Sequence, residues 1–495
     1  MTRPKAKRDK QEVDVVVIGA GTAGLNAVAE VRRSHRSWVL VESGPYGTTC
    51  ARVGCMPSKL LIAAADRAHQ VATAGEFGIS AGPVSVDAQA LFSRLRAERD
   101  RFVAGAVKST TRLPDEQRLQ GRARLTGPTT VLVERDGQSD IEINARAIVA
   151  AVGSSPNIPQ PFRDIMDHVW TSDEVFELDA LPESLAVIGT GAIGLELGQA
   201  LSRLGVNVSF FSTGSAIGPL RDPALQQCVQ QVFQDSPAGD AMAWHLDMHI
   251  QRARLSDSRA IALEWQDARG EMHQQQFSNV LLAAGRRPQL AGLDLEKAGV
   301  VLNERGLPAD WDPRTTRCGD TAVFIVGDAS HYRPVLHEAA DEGRAAGQNA
   351  AAYPQVTALV RRTPMAIVFS HPQMASVGAR FSELNKDGIE IGTVSYGDQG
   401  RARVQNENAG KVNLYAERGS CMLLGAELFC PSAEHLAHLL AWAIQQRLRV
   451  DELLSMPFYH PVLEEGLRTA LRDLSKALRI EGSCRSLDFA ESAGT

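Results

Sequence analysis

Short apolar runs separated by glycine-rich turns are the first pattern in the chain. Residues 13–18 form a β-branched run that predicts a buried parallel strand, and a helical stretch follows over 25–33. A second apolar strand over 38–41 ends at Glu42. The turn between the first strand and the helix contains Gly19, Gly21 and Gly24. Strand, glycine-rich turn, helix, strand and acid is the order of a dinucleotide-binding unit.

The same pattern returns in the middle of the chain. An apolar strand over 184–188 leads through a glycine-rich turn into a helix over 195–204 and a strand over 206–211. The glycines of this second turn are Gly189, Gly191 and Gly194. Two complete units predict two nucleotide-binding domains in one chain.

Three further apolar strands connect these units. The run over 148–152 ends at Gly153 and is a plausible crossover, and the run over 280–284 ends at Gly285. A third run, over 323–327, ends at Asp328, where we expect the chain to return to the first domain.

From about residue 350 the pattern changes to that of an antiparallel sheet. Alternating segments cover 365–369 and 411–415, and helices are predicted near 434–449 and 463–478. The predicted fold is therefore α/β, with two Rossmann-like domains and a C-terminal α+β domain. The predicted boundaries are a disordered basic arm over 1–12, a first nucleotide domain over 13–155 and 283–350, a second over 156–282, a third domain over 351–480 and a tail over 481–495.

Composition narrows the class of protein. The chain has 495 residues, enough for about three domains, and its 44% apolar and 22% charged residues are ordinary for a globular protein. A net charge of −6 argues against a nucleic-acid binder. The sequence has neither an apolar run long enough for a membrane span nor a secretory signal, so a cytoplasmic enzyme is expected.

Two cysteines lie close together after the first nucleotide unit. Cys50 and Cys55 are separated by four residues, and a Pro-Ser-Lys segment ending at Lys59 follows them. A thiol pair beside a bound nucleotide indicates exchange of electrons between a disulfide and that cofactor. The plain alternative is a pair of buried core cysteines. No second Cys/His pair has zinc-ligand spacing, so no metal site is expected.

A histidine near the C-terminus is a candidate base. His460 precedes Pro461, which favours an extended conformation, and Glu465 could hydrogen-bond one ring nitrogen and raise the basicity of the other. Thiol exchange needs such a base. Taken alone, His460 would more often be an ordinary surface histidine or one with satisfied hydrogen bonds.

The second nucleotide unit lacks an acid after its second strand. Ser212 stands where Glu42 stands in the first unit, which removes discrimination against a 2′-phosphate. No arginine lies immediately beside it to grip such a phosphate, and Arg221 is nine residues further on. The choice between NAD and NADP therefore stays open.

Together these motifs resemble the class I pyridine nucleotide–disulfide oxidoreductases, and within them the dihydrolipoamide dehydrogenases. The resemblance covers residues 13–478 and rests on the order of the motifs: glycine turn, paired cysteines with Pro-Ser-Lys, second glycine turn, Gly-Asp, and His-Pro followed by Glu. It implies a homodimer with composite active sites, FAD, and a nicotinamide cofactor, NAD or alternatively NADP.

The resemblance also implies roles for the site residues. FAD would lie along the first glycine turn and Glu42, with Asp328 near its ribityl chain, and the second turn would hold the nicotinamide cofactor. Gly153 and Gly285 are assigned to cofactor binding as well. Lys59 would reach the flavin and pair with Glu196.

The implied catalytic residues come from both ends of the chain. Cys55 would face the flavin and Cys50 the substrate. His460 and Glu465, as base and orienting group, would reach the disulfide of the other subunit, and the His460–Pro461 bond is expected to be cis.

The implied reaction is dihydrolipoamide plus NAD⁺ giving lipoamide and NADH. Its partners would be a small dithiol or disulfide, a lipoyl domain, or a 2-oxo acid dehydrogenase complex. Neither nucleic acid nor a membrane is expected as a partner.

Some positions depart from the family pattern and leave other reactions open. Thr48 replaces a usual glycine before the first cysteine, Val462 and Glu464 replace a usual Thr and Ser, and Ser212 replaces the NAD-favouring acid. The alternatives are an NAD(P)H-dependent disulfide, quinone or mercuric-ion reductase of the same fold, and a non-catalytic flavoprotein subunit. Mercuric reductases add a C-terminal cysteine pair, whereas Cys484 stands alone.

Overall fold

A computed structural model describes residues 9–234, 242–257 and 259–479 of the chain. Residues 1–8 of the predicted basic arm and the predicted tail over 481–495 lie outside the described residues. The arm boundary is corrected, because the first strand begins at Asp9 rather than at residue 13. Residues 9–12 belong to the sheet, where they pair with residues 141–144.

The described residues include parallel and antiparallel strands. The strands are β1 (Asp9–Ile18), β2 (Trp38–Glu42), β3 (Arg118–Gln120), β4 (Arg122–Leu125), β5 (Thr130–Glu134), β6 (Ile141–Ala150), β7 (Ser154–Pro156), β8 (Ser184–Ile188), β9 (Asn207–Phe211), β10 (Met242–His245), β11 (His249–Leu255), β12 (Ile261–Gln266), β13 (Met272–Phe277), β14 (Asn279–Leu282), β15 (Arg286–Pro288), β16 (Val323–Ile325), β17 (Met365–Val368), β18 (Gln373–Gly378), β19 (Ile389–Ser395), β20 (Lys411–Glu417) and β21 (Leu423–Cys430).

The α-helices are α1 (Thr22–Arg33), α2 (Thr49–Val53), α3 (Cys55–Ala72), α4 (Ala88–Thr111), α5 (Ala192–Arg203), α6 (Pro223–Gln234), α7 (Leu336–Ala352), α8 (Gly400–Gln405), α9 (Ala433–Gln445), α10 (Val450–Ser455) and α11 (Glu465–Ala477). Short 3₁₀ helices cover Ala74–Phe77, Asp115–Gln117, Gln160–His168, Val175–Glu177, Leu295–Ala298, Gly327–Ser330, Phe381–Glu383 and Lys386–Gly388. None of the helices in the described residues is both long and apolar enough to cross a bilayer.

The first sheet is parallel in its centre, with the order β3-β2-β1-β6 and with β16 also paired to β6. The strands β5 and β4 continue from β6 as an antiparallel extension. Val15 and Val17 pack towards α1 and α7, while Val16 packs into the core on the opposite face. Both faces of β1 are therefore covered, which explains its continuous apolar run.

The second sheet is also parallel, with the order β10-β9-β8-β14. Between β10 and β14 along the chain, the strands β11, β12 and β13 form a separate antiparallel sheet. The strands β7 and β15 pair with each other where the chain passes between the two nucleotide units. The predicted pair of Rossmann-like units is confirmed. The return of the chain to the first sheet at β16 supports the domain boundaries that we propose.

The third sheet is antiparallel, with the order β17-β18-β21-β20-β19. Its core includes residues of α9 and α11, so the predicted C-terminal α+β region is confirmed. One hydrophobic cluster joins the three parts of the chain, because Leu61 of α3, Leu197 of α5 and Phe429 of β21 belong to it. This shared core fixes α3, which carries Cys55 and Lys59, against α5.

Candidate active site

The first glycine turn has the shape of a phosphate cradle. Gly19 has a φ of +104°, and a Cβ added there would lie 2.3 Å from the carbonyl oxygen of Ala151. A Cβ on Gly24 would lie 1.9 Å from the carbonyl oxygen of Gly19, whereas one on Gly21 would meet no atom within 4 Å. The helix α1 begins with neither a side-chain cap nor an acid in its first turn. Its free N–H groups and dipole fit the pyrophosphate of FAD.

The second glycine turn repeats this geometry. Gly189 has a φ of +116°, and its added Cβ would lie 2.3 Å from the carbonyl oxygen of Ala283. An added Cβ on Gly194 would lie 2.1 Å from the Gly189 oxygen, and Gly191 faces open space. Helix α5 likewise begins without a side-chain cap or an acid. This turn fits the pyrophosphate of a nicotinamide cofactor for the same reason.

Two acids lie beside the first cradle. The Glu42 carboxylate accepts hydrogen bonds from the N–H of Ala20 at 2.7 Å and of Gly44 at 2.8 Å, so it lies against the glycine turn. Asp328 accepts a hydrogen bond from Ser154 Oγ at 2.7 Å, and Ser154 Oγ in turn accepts one from Arg286 Nε at 2.8 Å. Sequence reasoning missed Ser154 and Arg286. Each of these two residues lies in the turn after a predicted apolar strand, which is the only sequence signal for them. No local sequence pattern relates two residues that are 132 positions apart.

Gly153 and Gly285 lie in the two segments that connect the nucleotide units. Both have positive φ, +68° and +88°. The Gly153 carbonyl accepts from Gln289 N at 3.0 Å, and the Gly285 carbonyl accepts from Asn157 N at 2.9 Å. The two glycines thus help to form the crossing between the units.

The paired cysteines lie at the junction of two helices. Cys50 lies in the short helix α2, and Cys55 is the first residue of the 18-residue helix α3. Both are free thiols in the structure. Cys50 is partly buried, and Cys55 is exposed.

Their thiols differ in acidity. The hydrogen bond from the Cys50 thiol, aided by the charge of Lys59, lowers the pKa of Cys55 to about 7. Donating that hydrogen bond, together with burial, raises the pKa of Cys50. The position of Cys55 at a helix N-terminus favours the thiolate as well. Cys55 is thus the better leaving group of the pair. A thiolate that attacks the Cys50–Cys55 disulfide is therefore expected to attack the Cys50 sulfur and release Cys55.

Lys59 lies one turn further along α3 and pairs with Glu196, as the family resemblance implies. Its Nζ lies 2.7 Å from Glu196 Oε2 and 4.4 Å from the centre of the Phe369 ring. The other carboxylate oxygen of Glu196 accepts from Phe369 N at 3.1 Å. Three parts of the chain therefore hold the Lys59 ammonium in place, and Phe369 is a member of this group that sequence reasoning missed.

His460 and Glu465 also form the predicted pair. His460 Nδ1 lies 3.0 Å and 3.1 Å from the two carboxylate oxygens of Glu465, and Val462 N donates to Glu465 Oε2 at 3.2 Å. These contacts lower the pKa of Glu465, His460 contributing most. A carboxylate at Nδ1 favours a proton there, which leaves Nε2 free to accept a proton. The expected cis bond between His460 and Pro461 is present.

The structure does not join this pair to the cysteines within one subunit. The His460 side chain is 80% exposed, and among the described residues it hydrogen-bonds to Glu465 and to neither cysteine. An exposed, oriented base is the arrangement that a site completed by a second subunit would require.

Comparison with known proteins identifies the relatives of the chain. The family model described as pyridine nucleotide-disulphide oxidoreductase matches residues 13–343, and the model of the dimerisation domain of that family matches residues 364–471. A dihydrolipoyl dehydrogenase of Haloferax volcanii is 30% identical over 92% of this chain and 95% of that protein. A mercuric reductase of Acidithiobacillus ferrooxidans is 31% identical over 96% of this chain and 85% of that protein.

Solved structures show the same fold. The Cu(II) complex of the HOCl-induced flavoprotein disulfide reductase RclA from Escherichia coli has a TM-score of 0.79 at 21% identity, covering 94% of this chain and 99% of that chain. LpdA from Mycobacterium tuberculosis has a TM-score of 0.78 at 23% identity, covering 93% and 99%.

Proposed function

The chain belongs to the pyridine nucleotide-disulphide oxidoreductase family, and from that premise we propose that it oxidises dihydrolipoamide with NAD⁺ through the Cys50–Cys55 pair. The family implies FAD and NAD(P) as cofactors, and the match to its dimerisation domain supports a homodimer. The observation that carries the proposal is the unequal thiol pair at the start of α3, beside the Lys59–Glu196 ion pair.

The residues of the chain would perform the exchange in two steps. One thiolate of the dithiol attacks Cys50 Sγ of the oxidised pair, and the Cys50–Cys55 bond breaks to release the Cys55 thiolate. The second substrate sulfur then attacks the substrate sulfur of the mixed disulfide, and the bond to Cys50 breaks to give lipoamide. The proton of this second substrate thiol passes to the departing Cys50 sulfur, which becomes a thiol. His460 of the other subunit would accept the proton of the first substrate thiol, with Glu465 fixing its ring.

When bound, FAD would supply a two-electron acceptor for the reduced pair and a hydride donor for the nicotinamide ring. The two uncapped helices α1 and α5 would hold the two cofactors, and Lys59 would provide a fixed positive charge. The overall reaction is dihydrolipoamide plus NAD⁺ giving lipoamide, NADH and a proton. The dithiol would be free or carried on a lipoyl domain of a 2-oxo acid dehydrogenase complex.

The decisive experiment is anaerobic turnover of the FAD-loaded protein with dihydrolipoamide, with NAD⁺ and NADP⁺ supplied separately. We expect rapid formation of NADH. Cys50→Ser should abolish turnover while FAD stays bound, because Cys50 is the sulfur attacked by substrate. Cys421→Ser, at a partly buried free cysteine elsewhere in the chain, is the matched control and should leave the rate unchanged. A Cys50→Ser variant that turns over normally would refute the proposed exchange.

A second candidate is reduction of a metal ion or another disulfide by NAD(P)H. The names of two relatives favour it, since mercuric reductases of Acidithiobacillus ferrooxidans and Streptomyces lividans are both 31% identical to the chain. Its test is NAD(P)H oxidation with Hg²⁺ or with a disulfide as acceptor. Turnover there, with no reaction of dihydrolipoamide, would favour this candidate over lipoamide.

A further inference from the structure

In the second nucleotide unit, the turn that follows the second strand, here called the corner (residues 212–214), contains no charged residue. In the first unit, Glu42 ends β2 and its carboxylate lies 2.7 Å from the glycine-turn N–H of Ala20. In the second unit, Ser212 follows β9, and its Oγ accepts a hydrogen bond from Gly214 N at 3.2 Å. A serine used in this way offers no negative charge to a ribose hydroxyl.

The turn that follows β10 is hydrogen-bonded to this corner. Strand β10 runs parallel to β9, and both strands end at the same edge of the sheet. Ser212 N donates to the carbonyl oxygen of His245 at 2.9 Å, and Met248 N donates to that of Ser212 at 3.1 Å. Asp247 N donates to the carbonyl oxygen of Gly214 at 3.3 Å. These three bonds bring Asp247 to the corner that in the first unit carries Glu42.

Asp247 is available for a ligand. It is exposed, and the structure gives its carboxylate neither an ion pair nor a hydrogen bond with any described residue. Its backbone has a φ of +50°, a conformation that Asp and Asn tolerate better than other non-glycine residues. Arg221, nine residues after Ser212, directs a guanidinium N–H to the carbonyl oxygen of Leu220 at 3.1 Å.

We propose that Asp247 replaces the missing acid and selects NAD(H) over NADP(H). Its carboxylate would accept a hydrogen bond from the 2′-hydroxyl of the adenosine ribose and repel a 2′-phosphate, as an acid at the end of the second strand does in other dinucleotide-binding units. Nucleotides bind at the carboxyl ends of parallel strands, which is the edge of the sheet where β9 and β10 end. The inference rests on the nicotinamide cofactor of the proposed function, but not on its dithiol.

The test measures binding without redox chemistry. Calorimetry with the FAD-loaded protein would compare ADP-ribose with 2′-phospho-ADP-ribose, neither of which carries a nicotinamide ring. We expect the wild type to bind ADP-ribose at least about tenfold more tightly, and Asp247→Asn to reduce that ratio about tenfold, the usual effect of one charge-assisted hydrogen bond. Asp247→Glu should retain most of the preference, since it keeps the charge.

Controls separate a local effect from a structural one. Asp257→Asn removes an exposed aspartate from the turn after β11 and should leave the ratio unchanged. Retention of FAD and of the circular dichroism spectrum would show that Asp247→Asn is folded. A ratio that stays within about twofold of wild type in Asp247→Asn, or a wild type that prefers the 2′-phosphate, would overturn the proposal. Failure of dihydrolipoamide turnover would discard the proposed substrate but leave this ratio, and the role of Asp247, intact.

Discussion

Replacing Lys59 by methionine should raise the pKa of the Cys55 thiol. The Lys59 ammonium lowers that pKa, whereas the charge of Glu196 raises it. The substitution removes the favourable charge and leaves the opposing carboxylate, whose Oε2 lies 2.7 Å from Lys59 Nζ in the wild type. Because one adjacent charge shifts a pKa by about 1 to 3 units, we expect a Cys55 pKa of roughly 8 or higher instead of about 7.

The effect can be followed by the pH dependence of alkylation. The protein would be reduced anaerobically, freed of reductant and treated with iodoacetamide between about pH 5 and 9, with labelling of Cys55 quantified by peptide mass spectrometry. At pH 7 the thiolate fraction should fall from about one half to about one tenth for a rise of one unit. The rate midpoint should therefore move to higher pH.

Two companion variants test the electrostatic reasoning. Glu196→Gln should move the midpoint the opposite way, because it removes the opposing charge. Arg67→Gln removes an exposed positive charge from the same helix α3 and should leave the midpoint unchanged, since Arg67 is not among the groups that act on Cys55. A midpoint in Lys59→Met that is unchanged or lower would refute the reasoning.

Two further outcomes are expected. His460→Gln should lower dithiol turnover by about 10²- to 10⁴-fold, the usual contribution of a general base. If the base acts across the dimer, a mixed dimer of one His460→Gln subunit and one inactive Cys50→Ser subunit should regain activity. One of its two sites then combines intact cysteines from the first subunit with an intact His460 from the second. Mixtures as inactive as their parents would contradict this. Gly24→Ala should lose FAD, because its Cβ would meet the Gly19 carbonyl oxygen at 1.9 Å. The matched Gly194→Ala, with its clash at 2.1 Å in the second turn, should keep FAD and weaken nicotinamide binding; equal loss of FAD in both variants would argue against two separate sites.

The sequence predicted secondary-structure elements well where the backbone conformation requires particular residues at neighbouring positions. The glycine turns at 19–24 and 189–194 need glycines at fixed spacing, so each motif identified its strand, turn and helix. Helix α1 nevertheless begins at Thr22 and not at residue 25, because the last residues of the turn already form its first turn. The predictions for residues 9–12 were wrong. These polar residues look like a loose arm, yet backbone hydrogen bonds to β6 place them in a strand, and such bonds do not depend on side-chain polarity.

By itself, then, the sequence determined the two nucleotide units, the cysteine pair and the His–Glu pair, since each is encoded within a few neighbouring positions. Tertiary structure decided which distant groups complete them. Phe369 reaches Glu196 across 173 positions, and Arg286 reaches Ser154 across 132. Asp247 comes to the corner after β9 only because β10 pairs beside it. Contacts of this kind depend on strand order and on the packing of α3 against α5, which no local pattern of residues contains.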